Sequence, residues 1–208
     1  MEMPIEIHGE IWLVRHGETE WSRSGQHTSR TDLPLTPEGE RQAASLKRML
    51  AGHSFALVLS SPMKRAVDTC RLVGLTPEIS DDLVEWNYGD YEGLTTPEIQ
   101  KRVPGWTVWM GASLNGETVN EVAVRAERLI ARALSARGDV ALFGHGHLLR
   151  ILAARWIGIE ASRGRLLALS TASVSVLGYE REMRVINMRK EKEKSSGGFF
   201  DRFRKPHK

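Results

Sequence analysis

Ile11-Trp12-Leu13-Val14-Arg15-His16-Gly17-Glu18 is an apolar run of four closed by arginine, histidine and glycine. Such a run reads as a short buried strand, and an open α/β sheet binds its ligands at the carboxyl ends of its strands. His16 then stands in a crevice with Arg15 beside it. Imidazole can act as a nucleophile and guanidinium can grip a phosphate through two oriented hydrogen bonds, so the pair suits formation of a phosphohistidine. Two further segments repeat the pattern. Phe55-Ala56-Leu57-Val58-Leu59 reads as a strand broken by Ser60-Ser61-Pro62, with Ser61 as N-cap, Pro62 as first helical residue and Arg65 in the first turn. Val140-Ala141-Leu142-Phe143 ends in Gly144-His145-Gly146-His147, whose glycines let backbone and imidazole approach a ligand closely. As parallel neighbours, the three strands would open on one rim and gather Arg15, Arg65, His16 and His145 in one positively charged volume.

Helical signals fill the intervals. Thr36-Pro37-Glu38 starts one helix, with Ala43, Leu46 and Leu50 on a stripe; residues 117–137 form another, with Val119, Val122, Ala126, Leu129, Ala133 and Leu134 at helical spacing. Residues 166–169, 174–179 and 184–187 read as closing strands, the last two as an edge hairpin. The fold class predicted is a three-layer α/β/α sandwich with a mostly parallel central sheet. An inserted lid over the active site is expected at roughly residues 90–116, read from the stretch between Thr95 and Gly116 with its Pro97, Pro104 and spaced hydrophobes.

At 208 residues and 41% hydrophobic, the chain has the material for one continuous core. The catalytic domain is placed at 1–187. Eight of the 29 Lys and Arg but three of the 26 Asp and Glu fall in residues 188–208, so the net charge of +3 is local and the body is slightly acidic. That distribution argues against nucleic acid as a partner, and the tail reads as a basic, disordered extension. No segment has the length and apolarity of a signal peptide or a membrane span, so a cytoplasmic protein without stable membrane association is expected. Cys70 is the only cysteine, which excludes an internal disulfide. His145 and His147 alternate as a metal pair would, but no acidic cluster of suitable spacing accompanies them, and neither metal nor cofactor is expected. The oligomeric state is open, and a homodimer is admitted.

Residues 13–21, 25–36 (GQHTSRTDLPLT), 60–69 (SSPMKRAVDT), 83–99 (LVEWNYGDYEGLTTPEI), 115–118 (NGET) and 144–158 (GHGHLLRILAARWIG) together resemble the histidine phosphatase superfamily, the phosphoglycerate mutase-like family. The wording around Glu85 and after Gly144 is most similar to its small acid phosphatases and sedoheptulose bisphosphatase-like enzymes. The resemblance implies His16 as nucleophile, Arg15 and Arg65 as phosphate clamps, His145 as the second histidine and Glu85 as proton donor. It also implies Gly17, Ser22, Thr28, Ser29 and Gly146 as substrate-binding residues, with Gln26, His27 and Arg30 near them. The chain departs from the family pattern at Ser29, usually glycine, and at Ser22, often asparagine. A carboxyl group near the leaving oxygen can give a proton and later take one from water, and Leu83, Val84 and Trp86 can supply the desolvation that an acid role for Glu85 needs. Glu18 reads either as an acceptor orienting the arginines or as a loop carboxylate; Asp81, Asp82, Asp90 and Glu92 read as surface groups.

The activity so implied is metal-independent hydrolysis of phosphate monoesters of small metabolites, sugar phosphates or bisphosphates. The alternatives are a phosphoglycerate mutase and an inactive phospho-ligand binding module. Mutases of this family carry added basic residues after the proton donor, whereas Trp86-Asn87-Tyr88-Gly89-Asp90-Tyr91 is aromatic and slightly acidic, with Lys101 and Arg102 the first cations beyond it. Trp86, Trp106 and Trp109 could wall a sugar phosphate. Packing of the lid explains them equally well.

Overall fold

The computed structural model describes residues 9–110 and 114–187. The tail read at 188–208 and residues 111–113 of the predicted lid lie outside the described residues. Six strands form one sheet: β1 (Ile11–Arg15), β2 (Phe55–Ser60), β3 (Glu78–Ile79), β4 (Asp139–Gly144), β5 (Val174–Glu180) and β6 (Met183–Asn187). Their order is β3-β2-β4-β1-β5-β6. β1 to β4 pair in parallel, while β5 runs antiparallel to β1 and β6 antiparallel to β5. The helices are α1 (Glu20–Ser24), α2 (Pro37–Ser45), α3 (Lys47–Leu50), α4 (Lys64–Leu72), α5 (Thr96–Gln100), α6 (Val119–Leu134) and α7 (Gly146–Trp156).

Alternation along β1 and β4 builds the layers, because successive side chains of a strand point to opposite faces. Ile11, Leu13, Val140 and Leu142 face a core shared with Val122, Ala126 and Leu129 of α6 and with Leu148, Ile151 and Leu152 of α7. Trp12, Val14, Ala141 and Phe143 face the other side, against Leu46 and Leu50 from the α2–α3 arm and Cys70 of α4. Burying each such Leu or Ile contributes about 2 kcal/mol. Helices thus cover both faces, as the apolar runs and stripes imply. Ile99, Trp106 and Val108, from the region read as a lid, are buried in the first of these cores.

The register brings the three carboxyl ends level. Arg15 of β1 stands opposite Gly144 of β4, and Ser60 of β2 opposite Phe143. The chain stays paired just past the strands, His16 N–H donating to Gly144 O at 3.1 Å and Ser61 N–H to Phe143 O at 2.9 Å.

Three local readings are corrected. Residues 166–169 form no strand: a 3₁₀ turn occupies Ala161–Leu166, and the Leu169 carbonyl accepts from Arg15 instead of joining the sheet. The helix after β2 starts at Lys64 with Met63 as its cap, because Met63 is still extended (φ −63°, ψ 133°); the Ser61 hydroxyl accepts from Met63 N at 3.3 Å and from His145 Nε2 at 2.8 Å, outside the helix. The helix placed at 117–137 spans Val119–Leu134, its start set by a capping box in which Thr118 and Glu121 satisfy each other's backbone N–H groups. The 174–179 and 184–187 readings correspond to the β5–β6 edge hairpin.

Candidate active site

His16 and His145 project from the ends of β1 and β4 with ring centroids 5.1 Å apart, at 6% and 1% exposure. The Nδ1 of His16 lies 2.7 Å from Gly17 O. A carbonyl only accepts, so the proton is on Nδ1 and Nε2 carries the free lone pair. Burial, then Arg65 and Arg15, hold His16 well below the ordinary histidine range, so the ring is neutral. His145 is held in the opposite tautomer: Arg65 Nε–H donates to its Nδ1 at 3.2 Å, and its Nε2–H donates to Ser61 Oγ at 2.8 Å. Burial is again the largest cause of its lowered proton affinity, followed by Arg65 and His16.

Arg65 is fully buried, its other nitrogens donating to Thr31 O at 3.0 Å and Ser29 O at 2.8 Å. Two of a guanidinium's five N–H groups stay uncommitted. Arg15 donates to Leu169 O at 2.5 Å, while its buried Nε has no hydrogen-bond partner among the described residues. An unpaired N–H on a buried cation is a seat for an anion.

Glu85, 5% exposed, comes from the loop after the 3₁₀ turn at Asp81–Leu83 and docks on the first turn of α7. Its Oε1 accepts from Trp86 N and Leu148 N, and Oε2 from His147 N, each at 2.9 Å. A helix N-terminus is the natural partner for a carboxylate. The loop is fastened from outside by an ion pair between Glu117, of the NGET segment, and Arg125 at 2.8 Å. Arg125 also donates to Asp82 O and Val84 O at 2.7 and 2.8 Å, and Glu117 accepts from Asn87 N at 2.8 Å. Arg125→Ala strips these donors and leaves Glu117 unpaired, so thermal denaturation should show a loss of about 2 kcal/mol and assays a lower kcat, as Glu85 loses its hold.

Arg15, His16 and Glu85 open on a pocket of about 180 Å³, lined also by Thr28, Ser22 and Gly146 and by His27, Tyr88, His147 and Arg150. Its wall excludes Arg65 and His145. Gly146 lets Arg15 pack closely: a Cβ there would stand 3.3 Å from Arg15 Cζ, a tight contact with that side chain. Thr28 lines the pocket while its hydroxyl donates to Gln26 O at 3.1 Å, and Ser22 does so while closing the capping box of α1 with Thr19.

Two residues expected to bind substrate do other work. Gly17 gives its N–H to Thr69 Oγ1, and a Cβ on it would meet Gly39 O at 2.3 Å, so it is glycine because α2 crosses there. Ser29 is fully buried, with its hydroxyl on Glu85 O and its N–H on Glu92 Oε1, so its side chain braces the acid loop and does not narrow the pocket. Glu92 is therefore a structural acceptor and not a surface group. Glu18 accepts from Thr36 Oγ1 at 2.9 Å, and its carboxylate holds no arginine among the described residues. Trp86 is a core residue whose indole N–H donates to Glu117 O at 2.8 Å.

Tyr88, His147 and Arg150 were not anticipated in the site. Gly146, His147 and Arg150 fall at helical spacing on one face of α7, which is the signal that could have found two of them. Arg150 Cζ lies 4.8 Å over the Trp109 ring. Among the described residues, no group of three or more His, Cys, Asp and Glu is arranged to hold a metal ion, and no helix is long and apolar enough to cross a membrane.

His16, His145 and His147 are all held neutral by burial. In the unfolded chain they titrate near 6.5, so below that pH the unfolded state binds more protons than the folded state. Stability is full above about pH 6.5 and declines as the pH falls through it. Melting temperatures measured from pH 7.5 to 5.5 should fall accordingly, and less steeply in His145→Gln.

The family model of the histidine phosphatase superfamily (branch 1) matches residues 11–192. The chain belongs to the histidine phosphatase superfamily. Among similar members, an acid phosphatase of Mycobacterium tuberculosis is 40% identical over 187 residues, covering 88% of this chain and 92% of that one. A sedoheptulose 1,7-bisphosphatase of Saccharomyces cerevisiae is 38% identical over 186 residues, covering 73% of this chain and 68% of that one. In fold, this superfamily member superposes on the solved structure of an open reading frame from Mycobacterium tuberculosis with a TM-score of 0.82 and 38% identity, covering 86% and 96% of the two chains.

Proposed function

We propose that this chain hydrolyses phosphate monoesters of small metabolites, sugar phosphates or bisphosphates, through a phosphohistidine at His16 and without a metal ion. The observation that carries the reading is the tautomer of His16: Nδ1–H is tied to Gly17 O, which leaves Nε2 as a lone-pair nucleophile in the field of Arg65 and Arg15. In the first step Nε2 attacks phosphorus in line and the P–O ester bond breaks, while Glu85 in its acid form gives a proton to the departing alkoxide. The guanidinium groups neutralise the equatorial oxygens, and His145, which accepts from Arg65 Nε–H, holds that guanidinium in place. In the second step the Glu85 carboxylate takes a proton from water, the water oxygen attacks phosphorus, and the P–N bond breaks to return neutral His16 and inorganic phosphate.

The small cavity favours a compact ester over a polymer. Arg150 beside it, with His27 and His147, suits a substrate bearing hydroxyls or a second anionic group. The names of the acid phosphatase and bisphosphatase relatives support the same class. Rapid mixing with ³²P-labelled substrate should trap acid-labile, base-stable label on the protein, with turnover unaffected by chelator. Active enzyme that never carries label overturns the reading. 3-Phosphoglycerate supplied with a bisphosphoglycerate primer should yield inorganic phosphate; isomer instead would identify a mutase, and neither product from any ester a binding module.

A further inference from the structure

Tyr88, from the loop after Glu85, and His147, in the first turn of α7, both line the pocket and meet with the phenol oxygen 2.6 Å from Nδ1. Tyr88 is 2% exposed. Burial and the neighbouring Glu85 carboxylate hold the phenol proton well above its ordinary range, so the hydroxyl is the donor. A neutral imidazole that accepts at Nδ1 carries its proton at Nε2. That nitrogen makes no hydrogen bond to the described residues, and the ring lines the pocket. Trp109 packs edge-on against the ring at 5.2 Å between centroids and fixes its plane.

Nδ1 has a second neighbour of opposite demand. Glu85 Oε2 stands 4.0 Å away, within reach of a protonated ring. Whichever of the two holds Nδ1 decides the state of the other groups. A proton on Nδ1 would pair His147 with the carboxylate and remove Glu85 from acid–base work; a hydrogen bond from the phenol forbids it. Arg150 on the same helix, Arg15 from β1 and His27 from the loop after α1 also face the ring and oppose a positive charge there, whereas Glu85 favours one.

The geometry points to Tyr88 as a positioning residue that locks His147 in the Nε2–H form, so that His147 donates to the leaving-group side of the substrate and Glu85 stays free of an ion pair. The inference deepens the phosphatase reading and rests on it, because only there does Glu85 protonate a departing alcohol.

The test is the pH dependence of kcat/KM for glycerol phosphate and p-nitrophenyl phosphate in wild type, Tyr88→Phe, His147→Leu, His147→Gln and the Tyr88→Phe/His147→Gln double variant. In Tyr88→Phe, His147 gains a proton at Nδ1 more easily, so the acid limb moves to higher pH. Glutamine places an amide N–H near the position of Nε2 and does not titrate, so the double variant restores the wild-type limb. His147→Leu loses a donor and should lower kcat/KM for glycerol phosphate about tenfold, more than His147→Gln does and more than for the aryl ester, whose leaving group is simple. Histidine ¹⁵N shifts give a readout that stability cannot mimic: wild type shows His147 protonated at Nε2, and Tyr88→Phe shows protonation moving to Nδ1. Coincident pH profiles and unchanged ¹⁵N shifts in Tyr88→Phe, with phosphoenzyme still trapped in wild type, would overturn the assignment alone. Absence of phosphoenzyme in active wild type would overturn the phosphatase reading and this assignment with it.

Discussion

His16→Ala is expected to lower kcat by at least about 10⁴-fold, to the level set by binding and charge neutralisation alone, and to leave no trappable phosphoenzyme. The size follows from the absence of a second competent nucleophile at the same point. His145 is its near neighbour in space, but its Nδ1 lone pair is occupied by Arg65 Nε–H and its Nε2 carries a proton directed at Ser61. His147 uses Nδ1 for Tyr88. Of these three rings, only His16 has an Nε2 that is both unprotonated and unclaimed by a described residue. The variant should fold, since the His16 side chain contributes one short-range hydrogen bond to the adjacent carbonyl. A melting temperature near that of wild type, with turnover gone, separates lost chemistry from lost structure. Retained label after substrate mixing would remove His16 from its role.

Glu85→Gln is expected to lower kcat for alkyl phosphates by about 10²- to 10⁴-fold. It carries a structural penalty as well. Both oxygens of the carboxylate accept backbone N–H groups, Oε1 from Trp86 and Leu148 and Oε2 from His147. An amide supplies one acceptor oxygen, so its NH₂ must face an N–H donor, at a cost of about 1–3 kcal/mol. Activity at one substrate would mix the two effects. A series of esters with leaving groups of rising pKa separates them, because loss of a proton donor steepens the dependence on leaving-group basicity and loss of stability does not. An unchanged slope in a folded Glu85→Gln protein would exclude Glu85 as the acid.

The legible parts of this fold are those that local physics decides. Runs of four or five apolar residues at 11–14, 55–59 and 140–143 became β1, β2 and β4, and Thr36-Pro37 started α2. The rim was legible because a parallel sheet must open its strand ends on one side, so His16, Arg65 and His145 converge once strand direction is known. Where the same logic failed, the residues were ambiguous in kind. Residues 166–169 are apolar enough for a strand, yet there the chain stays outside the sheet and turns a carbonyl to Arg15. Trp86 could be a wall or a core residue, and a carbonyl 31 residues away at Glu117 decided for the core.

What the chain determined by itself is the set of reactive groups and the elements that carry them, since periodicity and capping act over a few neighbouring residues. Which nitrogen of each histidine holds the proton was decided only in three dimensions, by Gly17 O for His16, by Arg65 and Ser61 for His145, and by Tyr88 for His147. Apart from the adjacent Gly17 carbonyl, those partners lie 59 to 84 residues away along the chain. A hydrogen bond selects a tautomer at under 3.5 Å, a distance that folding alone creates.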